Sequence, residues 1–111
     1  MFASAIKEIE ATELFRWLNE ENHPLRVIDV RQMQEIAQGT VPGAEALPLH
    51  TLPEKVHTLS PKEKLVVICR SGARSAQACM FLQQQGYSEV YNLRGGMMGW
   101  TQSGFPPAQL A

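Results

Sequence analysis

The sequence predicts an α/β domain: a central, mostly parallel sheet of five strands with helices on both faces. Short apolar runs alternate with segments of helical periodicity along the chain. The two strongest runs, residues 26–30 (RVIDV) and 65–69 (LVVIC), carry consecutive apolar residues, the pattern of strands buried on both faces. Length sets the scale. A chain of 111 residues that is 44% hydrophobic and 19% charged carries material for one core, so residues 1–111 are expected to form a single domain.

The elements follow in order. Residues 5–9 read as a first short strand. Thr12 is placed to cap a helix whose apolar face is Leu14, Phe15 and Leu18, and Asn22-His23-Pro24 stops it. Residues 26–30 form the second strand. A short helix spans 32–38 and closes at Gly39; Pro42-Gly43 turns the chain into a third strand, 46–49. One or two helical turns follow over 53–59, and Ser60-Pro61 opens the next turn. Residues 65–69 are the best strand and are expected at the sheet centre. A glycine-containing loop leads to a helix from about 75 to 85, ended by Gly86. Residues 90–93 are the fifth strand, Gly95-Gly96 a tight turn, and 97–102 the last helix. The tail, with Pro106-Pro107, is expected to fray.

Composition excludes several function classes. A formal net charge of -1 argues against nucleic-acid binding through a broadly basic face. The longest apolar run, Leu65 to Cys69, falls far short of the roughly 20 residues of a membrane span. The first ten residues carry Lys7, Glu8 and Glu10 where a signal peptide needs an apolar stretch, which predicts a cytoplasmic protein. Two cysteines, Cys69 and Cys79, make no disulfide framework. The histidines His23, His50 and His57 have no ligand-like spacing, so they are expected at the surface, and neither a metal nor another cofactor is expected.

The informative stretch is Cys69-Arg70-Ser71-Gly72-Ala73-Arg74-Ser75. Cys69 stands where a buried parallel strand ends and a helix begins, and open α/β sheets bind ligands beyond the carboxyl ends of their strands. Small residues let such a turn curl until successive N–H groups point inward, an anion nest at a helix N-terminus. A sulfur at its centre would be held as thiolate, with no general base required. The plainer alternative is a buried strand-end cysteine. Arg70 and Arg74 argue against it, because a core does not collect guanidinium groups without partners.

These residues resemble the active-site loop of the small, single-domain rhodanese-type sulfurtransferases. Asp29-Val30-Arg31 matches that family's D-x-R signature; Glu35 with Gly39-Thr40-Val41-Pro42-Gly43-Ala44 matches its E-x-x-x-G-H-I-P-G-A stretch; Leu93-Arg94-Gly95-Gly96 followed by Trp100 matches its C-terminal segment. The resemblance covers nearly the whole chain, with Thr40 standing where the family usually has His. It implies a rhodanese-like fold and a catalytic Cys69. Cys69 would take sulfur from a small anionic donor such as thiosulfate and pass it from a persulfide to cyanide, a thiol or a sulfur-carrier protein. Arg70, Ser71, Gly72, Ala73, Arg74 and Ser75 would form the substrate-binding loop, with the two arginines attracting the donor anion. A carrier or docking module in a protein sulfur relay is the second reading. Related cysteine phosphatases use a longer C-x5-R loop with a His before the Cys; here four residues separate Cys69 from Arg74, and Ile68 precedes Cys69.

Other residues are expected to do less. Asp29 and Arg31 read as scaffold, with Arg31 and Glu35 spaced for an ion pair over a helical turn. Cys79 reads as a core cysteine. Met97, Met98 and Trp100 read as packing for the last helix, with Met97 a candidate for the pocket mouth. Leu52 and Pro53 sit in a linker available to an acceptor.

Overall fold

Five short strands form one sheet in the computed structural model, which describes residues 6–110. They are β1 (Lys7–Ile9), β2 (Arg26–Asp29), β3 (Glu45–Ala46), β4 (Leu65–Ile68) and β5 (Val90–Leu93). Their spatial order is β1-β5-β4-β2-β3, and each neighbouring pair runs parallel. The LVVIC strand is therefore central. Parallel pairing requires crossovers, supplied by α1 (Ala11–Leu18), α2 (Met33–Ile36), α3 (Leu52–Lys55) and α4 (Ala73–Gln84), while α5 (Gly96–Gln102) follows the last strand.

The period-2 alternation of strands divides the core in two. Val66 and Ile68 of β4 pack with Leu14 and Trp17 of α1 and Met97 and Trp100 of α5 on one face. Leu65, Val67 and Cys69 pack with Leu52, Ala78, Cys79 and Leu82 of α3 and α4 on the other. Helices thus cover both faces, as the buried character of the strands predicts. No helix among the described residues is long and apolar enough to cross a membrane.

The structure corrects several local expectations. The first strand starts at Lys7, and Ala5 lies outside the described residues. Thr12 does not cap α1. The helix begins at Ala11, and the Glu10 carbonyl accepts the first N–H bonds, from Glu13 and Leu14. The third strand is only Glu45–Ala46 because the chain turns into a 3₁₀ helix at Leu49; past the strand, the N–H groups of Leu47 and Leu49 still donate to the Asp29 and Val30 carbonyls. Leu52 is no part of an exposed linker: it is 1% exposed, in the core. The segment 49–58 is a single-turn α3 between two 3₁₀ turns. His23 is half-buried, stacked on Trp17 with Nδ1 at 2.6 Å from Glu20 and Nε2 at 3.0 Å from Lys64, while His50 and His57 are exposed.

The C-terminal segment does not fray. Ala108 and Thr40 exchange two backbone hydrogen bonds at 2.7 and 2.8 Å, Trp100 Nε1 donates to the Pro106 carbonyl, and Phe105 stacks on Phe15 at 4.4 Å. The prolines thus leave the helix without leaving the fold.

Candidate active site

Cys69 follows the last residue of β4 at the carboxyl end of the sheet, and it is 1% exposed. Gly72, with φ +109°, turns the chain sharply enough for α4 to begin at Ala73. The sequence pattern places that start two residues later. The earlier start puts Ser75 in the first turn, above the sulfur. Gly72 N–H donates to Cys69 Sγ at 3.1 Å and the Ser75 hydroxyl lies 3.3 Å from it. Burial pushes the Cys69 thiol up, but the Ser75 hydroxyl and the backbone N–H groups of Ser75, Gly72 and Ser71 outweigh it and hold the thiol below its ordinary value. The anion nest is present, with no histidine in it.

The loop curls this way because its carbonyls are held elsewhere. Met97 N–H donates to the Cys69 carbonyl at 2.8 Å and Met98 N–H to the Arg70 carbonyl at 3.0 Å. A peptide carbonyl and the N–H of the next residue point in opposite directions, so anchoring these carbonyls on α5 helps turn the following N–H groups toward the sulfur. Gly96, φ +56°, permits the approach: a Cβ there would run into the Cys69 and Arg70 carbonyl oxygens. The Gly95-Gly96 turn is therefore part of the site.

The two arginines have different fates. Arg74 forms a two-pronged ion pair with Glu35, Nη1 to Oε2 at 2.7 Å and Nη2 to Oε1 at 2.8 Å. Arg70 is exposed and has no ion-pair partner among the described residues. It lines a cavity of about 380 Å³ beside the loop with Arg31, Glu35, Met97, Met98 and Thr101. Met97 does reach the pocket, as its place after the turn suggests.

The Arg31–Glu35 pair expected from spacing does not form. Arg31 instead donates to Asp29, Nη2 to Oδ2 at 2.8 Å and Nε to Oδ1 at 3.0 Å, and its Nη2 also reaches the Gly39 carbonyl. Asp29 is fully buried and accepts a further bond from Thr40 Oγ1 at 2.7 Å. Thr40 thus completes the buried carboxylate's hydrogen bonding. This cluster anchors the segment that carries Glu35, and Glu35 in turn holds Arg74 beside the loop.

Glu35 is shared between two tasks, since Oε2 also accepts the Gln32 N–H at the start of α2. The Arg74 guanidinium holds its carboxyl well below the usual range, at about 2 against 4.5. The folded value is the lower, so the pair's contribution is full above pH 4.5 and is lost as pH falls toward 2. Glu35→Gln is expected to cost about 1 kcal/mol or less at pH 6, because the pair is one-third exposed. The cost should shrink in urea unfolding repeated at pH 3. A constant difference would show that the ionised pair is not its source.

Cys79 is a core residue: fully buried on α4, its thiol is pushed up to about 12 by burial. Two residues escape sequence reasoning. Asn92, 2% exposed in β5, accepts the Ser75 hydroxyl on Oδ1 and donates from Nδ2 to Glu8 at 3.0 Å and the Gly72 carbonyl at 3.2 Å. The available signal was a polar residue inside the apolar run VYNL. Glu8 carries no such signal, since an exposed carboxylate in an edge strand is ordinary.

A family model for the rhodanese-like domain matches residues 10–103. A sulfurtransferase of Allochromatium vinosum is 43% identical over 101 residues, 91% of this chain and 94% of that protein. A thiosulfate sulfurtransferase, GlpE, of Stutzerimonas stutzeri is 33% identical, over 80% of this chain and 86% of that one. The crystal structure of a rhodanese-like domain protein from Staphylococcus aureus superposes with a TM-score of 0.85 at 30% identity, covering 96% of this chain and all of that one.

Proposed function

The chain belongs to the rhodanese-like domain family, and from that premise we propose that it moves sulfane sulfur from thiosulfate, through a Cys69 persulfide, to a thiophilic acceptor. The observation that carries this reading is the position of Cys69 Sγ, which receives the Gly72 N–H and the Ser75 hydroxyl at the end of β4. Donors aimed at the sulfur favour its ionised, nucleophilic form.

The Cys69 thiolate attacks the outer sulfur of thiosulfate. A sulfur–sulfur bond to Cys69 forms as the bond to the sulfonate sulfur breaks, and sulfite leaves with the bonding pair. Total charge is conserved, with the negative charge on the enzyme now at the outer persulfide sulfur. The inward N–H groups stabilise that charge. Cyanide, a thiol, or the cysteine of a sulfur-carrier protein then attacks the outer sulfur and returns Cys69 as thiolate. Arg70 lines the cavity beside the loop, where an anionic donor would dock. Because Arg74 is committed to Glu35, Arg70 is the guanidinium assigned to the donor's sulfonate. Arg70→Ala should raise KM for thiosulfate more than Arg74→Ala. The four-residue spacing from Cys69 to Arg74 forms a ring suited to one sulfur atom, and no aryl-phosphate hydrolysis is expected.

The test is intact mass. Incubation with thiosulfate should add one sulfur atom to the wild type, and a thiol chase should remove it. Cys69→Ala should take up none, and Cys79→Ala should load normally. Loading in Cys69→Ala would overturn the assignment of the nucleophile. A wild type loaded by a protein persulfide and not by thiosulfate would point instead to a carrier in a protein relay.

A further inference from the structure

The Ser75 hydroxyl has one hydrogen and two acceptors within reach. One is Cys69 Sγ at 3.3 Å; the other is Asn92 Oδ1, in a short contact. The orientation of the Asn92 amide is settled by its other end. Nδ2 already serves Glu8 Oε2 and the Gly72 carbonyl, so Oδ1 must face Ser75. Ser75 is fully buried and Asn92 nearly so, which leaves the hydroxyl no exposed face on which water could serve as an alternative partner.

We propose that Asn92, oriented by Glu8, is a positioning residue whose Oδ1 accepts the Ser75 hydroxyl hydrogen bond when Cys69 carries the transferred sulfur and gives it up to Sγ when Cys69 is a bare thiolate. The inference rests on the persulfide reading above and adds a residue to it. On the free thiolate the charge sits at Sγ itself, and a hydrogen bond to a charged acceptor is roughly twice as strong as a neutral one. Ser75 then turns to the sulfur. Once the outer sulfur is attached, the charge moves one atom outward. The inner sulfur becomes a weak acceptor, and the hydroxyl turns back to Asn92. Each state of Cys69 therefore leaves the buried hydroxyl with a partner, and neither strands it at the desolvation cost of an unpaired donor. Asn92 thereby offsets part of the preference for the unloaded thiolate.

The charged and titratable groups around this cluster are Arg74 and Cys79 on α4 and Glu8 on β1; substitutions at Asn92 and Ser75 leave all three in place. The experiment is the pH dependence of iodoacetamide labelling of Cys69, read by peptide mass on the full chain. Asn92→Leu removes the competing acceptor, so the labelling midpoint should fall by about 0.5 pH unit, the size of one neutral hydrogen bond withdrawn from competition. Ser75→Ala should raise it. The double variant should match Ser75→Ala, because Asn92 acts only through the hydroxyl. With thiosulfate and sulfite at equal concentration, the ratio of loaded to unloaded protein in Asn92→Leu should fall about threefold, the same shift expressed as an equilibrium. Asn92→Val, smaller and β-branched, gives the same readouts should the leucine variant not fold. A midpoint that stays or rises in these variants would overturn the proposal, as would an equal shift in the Ser75→Ala background. Labelling does not depend on thiosulfate, so a wild type that fails to take up sulfur fails the persulfide reading separately.

Discussion

Gly96→Ala is expected to abolish sulfur loading while leaving Cys69 and its loop chemically intact. Two costs combine. At φ +56° a non-glycine residue bears about 1–2 kcal/mol of left-handed strain. The added Cβ also meets the carbonyl oxygens of Cys69 and Arg70, and forcing an atom into packed surroundings costs about 1–3 kcal/mol. Relief requires α5 to back away from the loop. The same two carbonyls accept the Met97 and Met98 N–H groups, so backing away frees the peptide units that aim donors at the sulfur. At a temperature where the variant is folded, thiosulfate should add little or no sulfur, and the labelling midpoint of Cys69 should return toward that of a free thiol. Gly95→Ala is the control. Its φ is +81°, but its Cβ would meet Gly99 Cα at an ordinary 3.5 Å, so it should lose stability and keep loading. Wild-type loading by Gly96→Ala would show that the carbonyl anchors do not shape the nest.

Asp29→Ala should produce the largest loss of stability, about 3–5 kcal/mol, because it leaves the Arg31 guanidinium buried without its counter-charge. It also strands the Thr40 hydroxyl and the Arg31 N–H, both of which donate to the carboxylate. Against a typical domain stability of about 5–15 kcal/mol, that is a large share. Urea unfolding measures it. Asp29→Ala combined with Arg31→Met removes both charges, and a buried pair replaced by apolar groups costs far less than a broken one; the double variant should recover part of the loss. A double variant as unstable as Asp29→Ala alone would place the effect in packing and not in the orphaned charge.

The fold was legible in the sequence because strands buried on both faces leave an unambiguous mark. LVVI of β4 and VYNL of β5 are short, mostly apolar runs, and the structure finds both inside the sheet, with β4 at its centre. Cys69 was legible for a similar reason: a cysteine at the end of such a run, followed by small residues and arginines, has few structural uses. Helix starts were less legible. Ser75 has the chemistry of a cap, yet α4 starts two residues earlier because Gly72 can take a positive φ and the Ser75 hydroxyl serves the sulfur and Asn92.

Charge partners were decided by tertiary structure. Along the chain Glu35 lies four residues from Arg31 and 39 from Arg74, but the distant pair is the one that forms. Sequence spacing counts residues on a continuous helix, and Arg31 precedes α2, where the buried Asp29 claims it at short range. Asn92 and Glu8 reach the site from the other side of the sheet order, 17 and 67 residues from Ser75, through the parallel pairing of β1 with β5 and β5 with β4. Local pattern determined which segments are strands, where the sheet is buried and which cysteine ends its central strand, because burial and backbone preference act residue by residue. Which groups surround that cysteine, which arginine stays free and which glycine lets a second helix close over the loop depend on contacts between segments far apart in the chain, and those exist only once the sheet has brought the segments together.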